Sequence, residues 1–462
     1  MIFSSIPFLY YFLPLALIFY YLAPKKAKNA LLLLCSLLFY AWGEPKLLAV
    51  MLISTALGYG FGLAMERFPG KRKPLLVLSA LFSLGFLVYF KYANFFLENL
   101  NALAGTSFYL AKIALPVGIS FYTFQILSYT VDVYRGQVTA QKNPIDLACY
   151  VTFFPQLIAG PIVRYSDIAQ QLKNRVHNFE NIRQGAQRFL IGLGKKVLLA
   201  NLLGEITAAW HQTASNSLLF VWLYAVSFCL HIYFDFSGYS DMAIGLGRLF
   251  GFRFPENFCY PYISRSITEF WRRWHISLGT WFRDYVYIPL GGNRKGKLRQ
   301  FLNILIVWML TGFWHGAAWN FIFWGLYFAL LLMLEKVFLL PRLEKSRVFS
   351  RIYVLLAVTF SFVLFDASSL SAAADCMKQM LGLGGLPLVS QEAVYLLRSN
   401  ALLLVLSAVG ATPLPKQAAR RLCQRFPKAA AVLTPLALSL LLIICTAFLV
   451  DGSYNPFLYF RF

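Results

Sequence analysis

The sequence is poor in charge, and poorest in acid: charged side chains make up 13% of 462 residues, with 19 Asp and Glu against 42 Lys and Arg. So little charge cannot cover the surface of a water-soluble protein of this length. With 59% hydrophobic residues and a mean hydropathy of +0.61, the chain reads as an integral membrane protein. The seven cysteines, Cys35, Cys149, Cys229, Cys259, Cys376, Cys423 and Cys445, stand without CxxC or Cys/His spacing, so neither a metal site nor a disulfide framework is indicated. Also lacking are a G-x-S-x-G nucleophile elbow, a repeat of fixed period, a low-complexity linker and any polar stretch long enough to fold as a soluble catalytic domain. The expectation is one membrane domain over residues 1–462, with no bound cofactor. The first residues, MIFSSIPFLYYFLPLALIFYYLAPKK, lack a positive n-region and a small-residue cleavage site and read as a retained first span.

What the sequence has is apolar length. Runs at about residues 3–22, 30–43, 47–64, 75–92, 112–131, 147–162, 197–209, 218–250, 301–334, 352–366, 398–411 and 430–450 predict about eleven membrane-crossing helices, an all-α polytopic fold. Aromatics at 17% suit interfacial belts and a lined cavity. The net charge of +23 does not call for nucleic acid, because Lys and Arg cluster in short loops between the runs. Lys25, Lys26 and Lys28 form one such loop; Arg67, Lys71, Arg72 and Lys73 another; Lys336–Arg351 a third; Lys416–Lys428 a fourth. Placing these in the cytoplasm puts both termini outside.

Two runs then have both ends on the basic side. Residues 147–162 carry Pro155, Gly160 and Pro161, which break a straight helix and suggest a re-entrant loop. Ile304–Leu334 is short for two ordinary crossings of about 20 residues each, and it holds His315. A bent hairpin with Gly312–Gly316 at its apex and one long tilted helix are both open. An imidazole at such depth is costly and is by default a functional candidate, although a neutral ring packed with one hydrogen bond is the plain alternative.

Upstream, Ser266 and Glu269 have capping-box spacing, and Phe270, Trp271, Trp274, Leu278, Trp281, Phe282 and Tyr285 recur at helical spacing. This predicts an amphipathic helix at the cytoplasmic face, with His275 on its apolar stripe. Arg272 and Arg273, with Arg294 and Lys295 of the glycine-rich turn that follows, are candidates for holding phosphate oxygens. Two imidazoles, His315 and His275, suit acid–base work in acyl transfer. Gln125, Tyr129, Asp132, Asp235, Tyr239, Trp314 and Asn320 are polar groups within apolar runs, either lining a chamber or bonding neighbouring helices. Asp241 belongs with them, His177 and His211 read as solvated, and His231 is undecided.

PVGISFYTFQ (Pro116–Gln125), FFPQLIAGPIVR (Phe153–Arg164), YFDFSGYSDMAIG (Tyr233–Gly245), FWRRWHISL (Phe270–Leu278), YIPLGGNRKG (Tyr287–Gly296), GFWHGAAWNF (Gly312–Phe321) and NPFLYFRF (Asn455–Phe462) together resemble the membrane-bound O-acyltransferase family, in its bacterial polysaccharide O-acetyltransferase branch. That branch includes membrane subunits for alginate and peptidoglycan acetylation and the D-alanyl transferase of teichoic acid. The resemblance implies a helical body with re-entrant and amphipathic helices enclosing a tunnel through the membrane. It implies that His315 is the family's histidine, that His275 takes the place of the second polar catalytic residue, and that acetyl-CoA is the acyl donor substrate. It further implies an extracytoplasmic polysaccharide as acceptor, a separate extracytoplasmic transferase of the SGNH type as partner, and residence in the bacterial inner membrane. His231 departs from the branch, where glutamine is common. A transporter or lipid-carrier flippase would also use buried polar groups and an aromatic cavity, but no inverted repeat is visible. A scaffold that only recruits a secreted transferase is a third reading.

Overall fold

The computed structural model describes residues 1–109, 113–158, 160–213, 216–452 and 458, so the Asn455–Phe462 motif lies outside the described residues except for Leu458. Among them the chain is helical throughout, without a β-strand. Six helices are long and apolar enough to cross a membrane: Leu48–Arg67, Pro69–Ala104, Leu218–Leu249, Trp319–Glu344, Arg347–Asp366 and Pro427–Asp451. The pair Gln391–Ser399 and Ala401–Gly410, bent by 58°, makes a seventh if it is one span.

This is fewer than the dozen apolar runs suggest, because an apolar run records avoidance of water and not helix length. The run near residue 30 becomes the 14-residue helix Lys28–Ala41, and the one ending near 131 the 16-residue helix Ile119–Tyr134. The run at 147–162 is broken, as its prolines and glycine suggest. The Pro144–Thr152 helix stops at Phe153, and a single turn, Phe154–Leu157, follows. Its backbone is satisfied by protein groups: Phe154 N–H donates to Ser36 Oγ at 3.1 Å, and Gln156 Nε2 donates to the Tyr150 carbonyl at 2.6 Å.

The residues fall into two compact units, Met1–Phe189 with Ser240–Glu256, and Leu190–Tyr239 with Asn257–Phe462. In the first, Phe3, Phe8, Phe39 and Phe154 form a cluster of interlocking rings. In the second, Phe270, Trp274, Trp324, Phe328, Phe362 and Phe365 belong to one buried core.

The tract holding His315 is a helical hairpin. Lys297–His315 and Trp319–Leu334 are joined by Gly316-Ala317-Ala318, with His315 the last residue of the first helix. Two glycines bring the helices to backbone contact: a Cβ on Gly312 would fall 2.2 Å from the Phe321 carbonyl oxygen, and one on Gly325 would fall 2.1 Å from that of Trp308.

The segment expected as one amphipathic helix is instead two short ones, Ile267–Arg273 and Ile276–Phe282, broken at Trp274 and His275. Only half of the capping box forms. Ser266 Oγ accepts from Glu269 N–H at 3.0 Å, while the Glu269 carboxylate turns to Arg265 N–H at 2.9 Å. The second cap comes from elsewhere: the buried carboxylate of Glu335, just past the hairpin's second helix, accepts from Ile267 N–H, Thr268 N–H and Thr268 Oγ1. A fixed negative charge at a helix N-terminus is favourable, and this one ties the short helices to the hairpin.

Candidate active site

His275 sits at the break, in a left-handed conformation (φ 43°, ψ 53°) that costs a non-glycine residue about 1–2 kcal/mol. What holds it there is Asn257, fully buried, whose Oδ1 accepts from Ser277 N–H at 3.2 Å, from Ser277 Oγ at 2.8 Å and from His275 Nδ1 at 3.2 Å. Because the backbone N–H can only donate, the atom it meets is an acceptor, and the imidazole therefore donates from Nδ1. The proton is thus assigned to Nδ1, and Nε2 carries the lone pair; it is buried with no hydrogen-bond partner among the described residues. Burial pushes His275 down to about 3, so the ring is neutral at physiological pH.

His315 is buried in a box of rings. Trp314, Trp324 and Phe365 have centroids 5.0, 5.1 and 5.3 Å from its own, all near edge-on. The wall bearing Phe365 is pinned by Asn320, whose Nδ2 donates to the carbonyls of Phe365 at 3.4 Å and Ala367 at 3.0 Å. Trp314 joins the two histidines: the ring of His275 lies 6.2 Å from it, with Phe236 closing His275's other side at 4.7 Å. The indole N–H groups of Trp271 and Trp324, whose rings are 5.6 Å apart, are buried without an acceptor among the described residues. The second unit therefore gathers two imidazoles and buried N–H donors in an aromatic enclosure, the parts that acyl transfer requires.

Of the phosphate candidates, Arg273 is engaged by Glu269 at 2.8 Å and by the Cys259 carbonyl at 3.1 Å. Arg272, Arg294 and Lys295 are exposed and form no ion pair among the described residues. The glycine-rich turn is held by Asn303, which donates to the Gly292 carbonyl at 2.8 Å.

Most of the other polar residues have structural partners, whereas Gln125 Oε1 is buried without one among the described residues. Gln125, Tyr129 and Asp132 lie buried on the Ile119–Tyr134 helix of the first unit, where Tyr129 Oη accepts from Gln141 N–H at 2.9 Å. Asp235 forms a buried ion pair with Lys196 at 2.6 Å and accepts from Leu458 N–H at 2.9 Å. Tyr239 and His231 are buried in the second unit, and Asp241 pairs with Arg188 at 2.8 Å in the first. His211 is half exposed, yet it reaches Asp366 at 3.0 Å, and His177 meets Tyr20 Oη at 2.8 Å; neither is simply solvated.

Sequence reasoning missed Asn257, Lys196 and Glu335. Asn257 lies 18 residues before the histidine it holds, and the other two lie among basic residues read as topology signals, so no local spacing marks them.

The profile of the membrane-bound O-acyltransferase family matches residues 140–371. The chain is 39% identical over 485 aligned positions to a probable alginate O-acetylase of Pseudomonas putida, covering all of both chains. It is 36% identical to a peptidoglycan O-acetyltransferase of Helicobacter pylori, over 89% of this chain and 86% of that one. It is 30% identical to a teichoic acid D-alanyltransferase of Bacillus subtilis, over 48% and 59%.

Proposed function

The chain belongs to the membrane-bound O-acyltransferase family, and from that premise we propose that this multi-pass O-acyltransferase takes acetyl from cytosolic acetyl-CoA and delivers it to an extracytoplasmic polysaccharide. The observation that carries the chemistry is the pair of buried imidazoles sharing Trp314. His315 takes the proton of the attacking hydroxyl, whose oxygen forms the new C–O bond at the acetyl carbonyl. The tetrahedral oxyanion is met by buried indole N–H, that of Trp324 beside His315 first. The C–S bond then breaks, and the proton on His315 passes to the departing CoA thiolate.

His275, with its lone pair on Nε2, accepts a hydrogen bond and does not donate one to the carbonyl. It orients the donor by accepting from an amide N–H of the pantetheine arm. Arg272, Arg294 and Lys295, with Arg273 behind them, face the CoA phosphates from the cytoplasmic side of the bacterial inner membrane, both termini being outside. The similarity to a probable alginate O-acetylase and a peptidoglycan O-acetyltransferase favours a cell-envelope or alginate-like glycan as acceptor, and a separate extracytoplasmic SGNH-type transferase completes the delivery in this reading.

Membrane vesicles of known orientation test this. Inside-out vesicles supplied with radiolabelled acetyl-CoA outside are expected to consume it and accumulate acetyl ester in the lumen, whereas right-side-out vesicles do neither. Equal consumption by both orientations contradicts the vectorial reading.

A further inference from the structure

The first unit holds a second concentration of positive charge that the acyl-transfer chemistry does not use. At the end of the Leu13–Leu22 helix, Lys28 Nζ lies 4.5 Å from the ring centroid of Tyr20 and 5.3 Å from that of Tyr21. The Arg175 guanidinium lies 5.7 Å from the same Tyr20 ring and 4.5 Å from Phe252. Tyr20 is fully buried and donates its one proton to the Phe250 carbonyl at 2.7 Å, so in its 2.8 Å contact with His177 Nε2 it accepts, and His177 is the donor.

Lys25, Lys28 and Arg175 form no ion pair among the described residues. Arg175 Nη2 donates to Asn29, whose amide in turn engages the Asp146 carboxylate at 2.7 Å. Nη1 is buried with no acceptor among the described residues. Burial first, and then the nearby cations Lys28, Arg175 and Lys25, push His177 below its ordinary value. The chain backbone comes right up to this cluster at Gly251, in a left-handed conformation (φ 83°). A Cβ there would stand 3.1 Å from His177 Nε2 and 3.3 Å from Arg175 Cβ.

We propose that Lys28 and Arg175, on the aromatic floor of Tyr20 and Phe252, bind a phosphate group. Arg and Lys offer charge-assisted hydrogen bonds to phosphate oxygens, and a single anion relieves the mutual repulsion of the two. Two sources present the same chemistry, the headgroup of an anionic phospholipid and a free phosphate-bearing anion.

The full chain in phosphatidylcholine nanodiscs separates them. Inorganic phosphate is titrated by calorimetry against chloride at matched ionic strength, and phosphatidylglycerol doped into the same discs is followed by native mass spectrometry. At least one probe binds. Phosphate alone identifies a free anion, and phosphatidylglycerol alone identifies a lipid headgroup. Lys28→Gln weakens binding roughly tenfold, the loss of one charge-assisted hydrogen bond. Lys28→Arg retains binding, and Lys71→Gln, in a different basic turn, leaves it unchanged. Failure of both probes to bind, or a Lys71→Gln loss equal to that of Lys28→Gln, overturns the proposal, and the Lys28→Arg comparison holds even if the glutamine variants fold poorly.

Discussion

At the scale of single residues, the proposed chemistry rests on the protonation pattern of His275 and the enclosure of His315. His315→Ala is expected to lower turnover by about 10²–10⁴-fold while the fold survives, checked by CoA release together with gel filtration of the variant. Asn257 sets the tautomer and the left-handed backbone of His275. Asn257→Ala therefore lowers kcat and destabilises the protein, whereas Asn257→Asp, which keeps an acceptor, recovers part of both. The pH dependence follows from the depressed value of His275, about 3 in the folded protein against 6.5 for a free imidazole. Between those values the unfolded chain binds a proton that the folded chain does not. This contribution is present in full above pH 6.5 and is lost as pH falls, by about 1.4 kcal/mol per unit. Thermal melting in detergent between pH 7 and pH 5 is expected to show wild type losing Tm more steeply than His275→Gln. Parallel slopes would sink the assignment.

At the scale of elements, three pieces position the site: the hairpin, the broken pair of short helices and the Arg347–Asp366 helix that carries Phe365. The hairpin depends on backbone contact at Gly312 and Gly325, where even a methyl group collides with a carbonyl. Gly312→Ala is expected to cost about 1–3 kcal/mol and to lose activity without altering any catalytic group, measured by paired melting and turnover assays. Glu335→Ala removes the buried carboxylate that caps the Ile267–Arg273 helix and should loosen it similarly. What the sequence made legible follows from locality. The run around His315 left a bent hairpin and one long tilted helix both open until the structure showed the hairpin, whereas Pro155 with Gly160 announced a broken segment. The break at His275 was not legible, because helical periodicity continues through it in Trp271, Trp274 and Leu278 while the force that breaks it comes from Asn257, far along the chain. For the same reason Asp235 could not be told from a chamber-lining acid until its partner Lys196 was located.

At the scale of the molecule, six or seven long apolar helices among the described residues make a polytopic membrane protein, and its loops rich in Lys and Arg carry the proposed orientation. Exposed Cys423 lies on the basic Leu414–Arg425 helix, which the charge rule puts in the cytoplasm. A membrane-impermeant maleimide is expected to leave Cys423 unlabelled in intact cells and to label it after permeabilisation; labelling in intact cells would invert the topology. The central claim, that the buried imidazoles transfer acyl groups, is tested most directly by CoA release from acetyl-CoA. The assay uses purified protein in nanodiscs with a soluble acceptor glycan, comparing wild type with His315→Ala. The account predicts steady release by wild type and its near-complete loss in the variant, with equal melting temperatures for the two proteins. Equal release by both would contradict it and leave His315 a packing residue.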